Sequence, residues 1–458
     1  MGKAVEKYSH KLIKKIRFRI PDVPGALGRL AKELGDCDVI LGDITTVDLT
    51  SSYITRDIIT FFDSIEHLES TLSSLKKLKG YKILSIEDEV LMLHRGGKIA
   101  VTPTVSVETL SDLRMIYTPG VAQVCNHIVK DPSMANDYTS IGNTVCIATN
   151  GSAVLGLGDI GVLPAMPVME GKSLILKKMG GVNCVPLLID SEQADDIVNT
   201  LYHLSKTFSV IMIEDIKAPL CFEVEERLQK MVRIPVFHDD QHGTATVILG
   251  ALIKALRLAK RNKQDVRIVI NGAGAAAIAS CKMLLYYGFK DIVMSDRAGA
   301  IYEGRKEGMN PYKKEISALT NKRKEKGTIA DIIAGKDIFI GLSSPGLVTA
   351  DMVKTMNKRP VIFALANPVP EIWPKDALEA GAAVAVDGRT INNALAFPGI
   401  IRGAIDARVP VINYAMKIRA AETLAALSGK HDVVPNFMNM TVHEKVAAAV
   451  RQAAGLKK

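Results

Sequence analysis

The pattern of apolar and polar positions changes character near residue 93. Ahead of that point the periods are short and mixed. "IRFRI" (16–20) alternates, with Ile16, Phe18 and Ile20 on one face and arginines on the other, as in a half-buried strand. "PDVPGALGRL" supplies a Pro/Gly turn and opens a helix carrying Leu27, Leu30 and Leu34. "VILGDITTVDLT" and "YITRDIITFF" are β-branched strand segments. "SIEHLESTLSSLKKL" is an amphipathic helix, and "YKILSI" closes the unit as a strand. The predicted order over 16–92 is βαββαβ, the ferredoxin-like split motif.

Beyond residue 93 the strands become short, continuous apolar runs. "CVPLLI", "SVIMIED", "IPVFHDD", "VRIVIN", "DIVMSD", "DIFIGLSSPG", "VIFALANP" and "AVAVDG" mostly end in polar or turn residues, and helical stretches separate many of them. Such runs predict parallel sheets covered on both faces, an α/β class. Ligands gather at the C-terminal ends of such strands, so the polar residues there carry the interest.

Composition narrows the function classes. The 458 residues are 48% hydrophobic and 23% charged, which suits two or three globular domains. Aromatic residues make up only 5%, so base-stacking platforms are scarce, and the net charge of +9 is read as attraction for small anions rather than nucleic acid. The basic run "NKRKEKG" (321–327) reads as a solvated surface. Six scattered cysteines without a C-x-x-C predict reduced thiols and a cytoplasmic setting. The N-terminus lacks the apolar stretch of a secretory signal. The uncharged stretch Tyr138–Gly158 is broken by Gly, Asn, Ser and Thr, so no membrane segment is predicted there.

Two glycine runs compete as dinucleotide sites. "VLGLGDIG" fits G-x-G-x-x-G by letter at Gly156, Gly158 and Gly161, but Pro164 and Pro167 follow. Interior prolines break helices, so a tight turn without a helix is predicted there. "VRIVINGAGAAAIASCKMLLYYGFKDIVMSD" has the whole mechanism. A strand leads into Gly272, Ala273 and Gly274; Ala275, Ala276 and Ala277 open a helix; Gly288 ends it; and Asp296 closes the next strand, about 20 residues on, where a ribose is bonded. Ala277 is an accepted replacement where only close helix–strand packing is required. Asp296 favours NAD, because a carboxylate repels a 2′-phosphate, while Arg297 leaves NADP use open.

Carboxylates mark a second site. Glu214 and Asp215 end one apolar strand, and Asp239 and Asp240 end another. If those strands are neighbours the four acids converge, and a hard cation such as Mg²⁺ or Mn²⁺ would relieve their repulsion. The plainer alternative is helix capping and surface pairing. "HDDQHG" reads as a turn, and His238 and His242 as helix-entry or packing residues rather than zinc ligands, since no Cys or third His lies nearby. Lys172, in "GKSLILKK", read as near an apolar strand, would become a base if a metal lowered its pKa.

Together "YTPGVA" (117–122), "GLGDIG" (156–161), "EGK" (170–172), "IED" (213–215), "DDQHGTA" (239–245), "GAGAAA" (272–277), "ANPVPE" (366–371) and "NNALAFPG" (392–399) resemble the malic enzymes of the small prokaryotic type. The "DVPGALGRL" unit resembles an ACT domain. The resemblance implies an ACT-like regulatory domain (16–92), a substrate and metal domain (93–243), a Rossmann-type NAD(P)-binding domain (244–425) and a C-terminal helical segment (426–458). It implies oxidative decarboxylation of L-malate to pyruvate and CO₂, with NAD or NADP and Mg²⁺ or Mn²⁺. Lys172 looks like the base, Tyr117 like the acid at C3, and Asp239 like the partner that sets the protonation of Lys172. Glu214, Asp215 and Asp240 look like the metal ligands. Asn367 and Asn393 resemble residues touching substrate carboxylate or nicotinamide ribose. A homodimer or higher homo-oligomer, and a small effector at the ACT-like unit, are further implications; assembly alone is the other reading of that unit. Larger malic enzymes carry a carboxylate-gripping Arg just before "LGLGD"; here none lies between Asn150 and Asp159, a mark of subtype. A malolactic-type reaction and an NADP-preferring enzyme are the alternatives.

Overall fold

A computed structural model describes residues 11–154 and 156–455. They form two compact units, one up to Ala100 and one from Val101 onward. The first contains β1 (Leu12–Pro21), α1 (Ala26–Asp36), β2 (Ile40–Leu49), β3 (Tyr53–Phe62), α2 (Ile65–Leu75) and β4 (Lys82–Asp88). Its sheet order is β2-β3-β1-β4, antiparallel throughout, which is the predicted βαββαβ arrangement. The period of two decides the faces. Ile16, Phe18 and Ile20 are buried against Leu30 and Leu34 of α1. Lys15 and Arg17 alternate with them in sequence and pair with Glu87 and Asp57. Gly25, at φ 80°, makes the left-handed entry into α1 that a side chain would strain.

The second unit holds two sheets. After α3 (Leu110–Ile116) and α4 (Val121–Lys130) come β5 (Thr144–Thr149), α5 (Val162–Gly180), β6 (Asn183–Leu188), α6 (Ala194–Leu204), β7 (Val210–Ile213), α7 (Leu220–Met231), β8 (Val236–His238) and α8 (Asp239–Ala259). The order β6-β5-β7-β8 is all parallel. The strand β5 was not foreseen within its uncharged stretch. Its six residues are all buried, so no alternation betrays it.

The second sheet is built from β9 (Arg267–Asn271), α9 (Ala275–Tyr287), β10 (Asp291–Asp296), β11 (Gly299–Ala300), α10 (Pro311–Leu319), β12 (Ile338–Gly341), β13 (Val361–Ala364) and β14 (Val384–Asp387). Its order is β11-β10-β9-β12-β13-β14, parallel except for β11. Three helices follow: α11 (Phe397–Asp406), α12 (Tyr414–Leu427) and α13 (Met440–Ala453). Helix α8 is long and apolar enough to cross a membrane, but 72% of its apolar window is buried inside the protein, packed on α9 and α12. The C-terminal α13 packs on α11 and α12 and reaches α5.

The structure corrects three local expectations. A long helix does open behind "GLGDIG": α5 runs for 19 residues with Pro167 inside it. Pro164 falls in the first turn, where backbone N–H groups have no intrahelical partner, so only Pro167 removes a helical bond. Ala165, Met169, Ser173, Leu176 and Met179 bury one stripe of the helix, and that packing outweighs the loss. "GKSLILKK" is therefore helical, and Lys172 projects from a helix. "HDDQHG" is not a turn but the end of β8 and the first turn of α8. The tight turn itself stands, since Gly156, Gly158 and Gly161 all have φ between 77° and 79°.

Candidate active site

In the four-stranded sheet the chain leaves β5 towards β6 on one side and leaves β7 towards β8 on the other, so a crevice opens at the C-terminal ends of β5 and β7. The loop after β5 is tied to the loop after β7. Asn150 Oδ1 accepts from the Ser152 N–H (3.2 Å) and hydroxyl (2.6 Å), and Ser152 Oγ accepts from the Lys217 N–H at 3.0 Å. Nothing in the sequence distinguished Asn150 from other loop asparagines. Glu214 and Asp215 follow β7, and Asp239 and Asp240 follow its hydrogen-bonded neighbour β8. The four acids therefore converge. Asp215 has φ 52°, a conformation costly for a side-chain-bearing residue. Its N–H donates to Asp240 Oδ2 at 3.0 Å, which helps hold it there.

Lys172 reaches into this cluster from α5. Its Nζ lies 2.5 Å from Asp239 Oδ2 and 2.7 Å from Glu214 Oε1. Burial disfavours its charge, but Asp239 and Glu214 outweigh burial and hold the ammonium charged above its usual range. Burial raises the Asp239 and Glu214 carboxyls against the pull of Lys172. Burial, then Asp240, push Asp215 up to about 7. Asp240 goes the other way, to about 2, because His238 and Lys172 overcome its burial.

The residues present fit a divalent cation. Glu214, Asp215 and Asp240 offer oxygens within 4.8 Å of one another. Glu214 Oε2 and Asp215 Oδ2 are buried without a hydrogen-bond partner. Buried, crowded carboxylate oxygens of this kind are the donor set of a hard cation.

A cavity of about 420 Å³ lies at the switch point of the six-stranded sheet, where the chain leaves β9 and β12 in opposite directions. Gly272, Ala273, Gly274, Asp296, Arg297 and Lys313 help line it. A Cβ on Gly272 would stand 2.5 Å from the Leu342 carbonyl oxygen, so only glycine fits. Gly274 begins α9, whose N–H groups suit a pyrophosphate. Ala275, Ala276 and Ala277 form its first turn, and Ala277 is buried in packing, as expected of a third-glycine replacement. Glu371 joins the neighbouring loops: its carboxylate accepts from the Ser343 and Ala366 N–H groups, both at 3.0 Å.

Asp296 is more engaged than the sequence implied. Oδ1 accepts from Arg305 at 2.8 Å and the Ala298 N–H at 3.0 Å, and Oδ2 accepts from Arg305 and from Lys313 at 2.6 Å. Although burial opposes it, these bonds hold the carboxyl at about 2. With Arg297 at the rim, three cations surround one carboxylate. The repulsion of a 2′-phosphate expected from Asp296 is cancelled. No sequence signal pointed to this, because Arg305 and Lys313 sit beyond the strand–glycine–strand pattern.

The remaining predicted residues are placed as follows. Asn393 starts a short helical turn, its Cβ close to Gly243 in the first turns of α8. Asn367 follows β13, with its Nδ2 donating to the Leu365 carbonyl at 3.4 Å, and Gly156 of the "GLGDIG" turn packs against Pro368. Tyr117 is not brought to Lys172. It caps α3 and is 68% exposed. His238 Nε2 lies 3.2 Å from Asp240 Oδ2, and His242 bonds Glu225, so neither gathers zinc ligands.

A dinucleotide crevice on one sheet and a lysine–carboxylate cluster on another, whose acids could hold a cation, define a nicotinamide-dependent dehydrogenase. Two family models match, "Malic enzyme, N-terminal domain" over residues 96–229 and "Malic enzyme, NAD binding domain" over 241–455. The chain belongs to the malic enzyme family. It is 42% identical to an NAD-dependent malic enzyme of Geobacillus stearothermophilus over 426 residues, 90% of this chain and 89% of that one. It is 47% identical to a bifunctional malic/malolactic enzyme of Bacillus subtilis over 383 residues, 81% of this chain and 93% of that one. The crystal structure of an NAD-dependent malic enzyme from Thermotoga maritima matches with a TM-score of 0.77 at 39% identity, covering 80% of this chain and 99% of that one.

Proposed function

We propose that the protein oxidatively decarboxylates L-malate to pyruvate and CO₂, reducing NAD, with Mg²⁺ or Mn²⁺ required. The observation that carries this reading is Lys172 held between Asp239 and Glu214, beside the Glu214–Asp215–Asp240 cluster. Those three carboxylates would hold the cation, which supplies Lewis-acid stabilisation of negative charge on malate oxygens. The hydride from C2 would pass to a bound nicotinamide, and Lys172 is the residue placed to take the C2-hydroxyl proton. To do so it must first be neutral, and Asp239 is placed to take its proton. That carboxyl is fully buried and raised by burial, which eases its taking the proton, although in the pair as it stands the ammonium is charged. Loss of CO₂ would leave an enolate, and Tyr117 is kept as the proposed acid at its C3, although within one copy of the chain it does not meet Lys172. Asn393 and Asn367 orient the substrate carboxylate and nicotinamide ribose.

Dialysis against a chelator is expected to reduce malate-dependent NADH formation to background, with Mn²⁺ restoring it. Asp215→Asn is expected to resist restoration at the same Mn²⁺. Full activity after chelation would overturn the metal assignment. The same assay separates the malolactic reading, which a relative's bifunctional activity brings forward: lactate would accumulate without net NADH.

NAD is the preferred cofactor, as for the NAD-dependent relatives, and NADP is accepted because Asp296 is already neutralised by Arg305 and Lys313. Lys313→Ala is expected to raise KM for NADP about tenfold more than KM for NAD, about 1.4 kcal/mol of discrimination. Equal effects on both cofactors would remove Lys313 from the 2′-phosphate site.

The βαββαβ unit is proposed to be an ACT-like regulatory domain that binds a small effector, on the strength of its topology and the left-handed Gly25 before α1. The domain limits 16–92, 93–243, 244–425 and 426–458 are proposed with it. A homodimer or higher homo-oligomer is supported by α3 and α4, which bury none of their residues while Leu110, Met115, Tyr117 and Val129 are exposed. A second copy over this face would take Tyr117 out of water. Six free cysteines support a cytoplasmic setting.

A further inference from the structure

The helix that carries two of the four site acids has no cap of its own. Helix α8 begins with Asp239 and Asp240, and the side chain of its N-cap residue, His238, makes no capping bond. Aspartates at a helix start ordinarily serve their own backbone N–H groups. Here Asp239 turns to Lys172, and Asp240 accepts from Asp215.

Glu225 of α7 holds this turn from outside. Its Oε1 accepts from the His238 N–H at 3.1 Å and from His242 Nε2 at 2.8 Å. Its Oε2 accepts from Gln241 Nε2 at 2.7 Å. The three donors bracket Asp239 and Asp240 on both sides. Because Nε2 of His242 donates, its Nδ1 accepts, and Lys417 of α12 donates to it at 3.1 Å. Lys417 is only 4% exposed. Carboxylate, imidazole and ammonium thus form one largely buried, charge-balanced line from α7 through α8 to α12. None of its side-chain polar atoms is left without a partner. A network satisfied in this way rigidifies what it touches.

We propose that Glu225 is a positioning residue for the metal and base cluster, setting Asp239 and Asp240 through His238, Gln241 and His242, with Lys417 as its counter-charge. The proposal rests on the cation reading of Glu214, Asp215 and Asp240. Outer partners of metal ligands set affinity by holding ligand orientation.

The test uses two variants that both remove the charge pair. Glu225→Gln/Lys417→Met keeps an oxygen acceptor at Oε1. Glu225→Leu/Lys417→Met keeps none. Mn²⁺ binding is followed by loss of the free-ion EPR signal, with KM for malate, Kd for NAD and Tm measured alongside. The Gln variant is expected to stay within about threefold of wild type in Mn²⁺ Kd and KM for malate. The Leu variant is expected to weaken both by about tenfold or more, with Kd for NAD unchanged. Wild-type Mn²⁺ affinity in both variants overturns the proposal. So does weakening of Mn²⁺ and NAD in parallel with a fall in Tm, which marks a merely structural role. If the Leu variant does not fold, Gln241→Leu removes one contact alone, and an unchanged Mn²⁺ Kd there overturns the proposal equally. Asp240→Asn is the reference. If it binds Mn²⁺ as wild type does, the cation site itself fails. If it loses binding while the Glu225 variants do not, only the positioning role fails.

Discussion

Replacing Lys172 with alanine lowers kcat for malate oxidation by about a thousandfold while the Kd for NAD stays at its wild-type value. The amine is the group that meets both Asp239 and Glu214, and the cofactor cavity is lined by a different sheet. Lys172→Arg is expected to be as inactive, because a guanidinium keeps its charge and cannot act as a base. The alanine variant leaves two buried carboxylates facing an empty position. Breaking a buried pair from one side costs about 3–5 kcal/mol when the orphan stays charged. Burial already raises both carboxyls, so they take up protons and soften that loss. Steady-state kinetics with cofactor-fluorescence titration checks the claim. Normal NADH formation by Lys172→Ala would remove Lys172 from the role of base.

Gly243→Ala is expected to cost far more in activity than in stability. Gly243 lies within the first turns of α8, with Asp239 one turn earlier. A Cβ at Gly243 would stand 1.9 Å from Asp239 Oδ1 and 3.3 Å from the Asn393 Cβ. Asp239 is fully buried and bonded to Lys172, so it yields only by turning away from the amine. A displacement of about 1 Å at such a point costs about a hundredfold in kcat. Alanine is meanwhile the better helix former by about 1 kcal/mol. The expected result is a modest change in Tm, because that gain is set against a strained Asp239–Lys172 pair, together with a collapsed kcat. A variant with wild-type kcat would show that Asp239 has room the structure does not reveal.

Both variants bear on what the sequence could reveal. Lys172 and the acids were legible as residue types at strand ends and in ordered motifs. The role of Gly243 was not, because it depends on where Asp239 points. The same holds for "GLGDIG". Its prolines were read by local helix rules, yet α5 forms because a stripe from Ala165 to Met179 is buried. The strand β5 was hidden for a related reason. A strand buried on both faces has no polar face to mark its period.

The sequence by itself determined the βαββαβ unit, the alternation that makes two parallel sheets, the nucleotide turn at Gly272 and Gly274, and the placing of two acid pairs at strand ends. Each is written in residues close together in the chain, where period, turn chemistry and strand ends act directly on the backbone. The tertiary structure decided the rest. It set Lys172 of α5 against Asp239, 67 residues away, and joined Glu225 to Lys417 through His242, 175 residues from that lysine. It also closed Arg305 and Lys313 around Asp296. These are choices of partner between charged side chains. They follow from which buried groups meet when the elements pack, because an ion taken out of water must find its counter-charge wherever the fold has placed it.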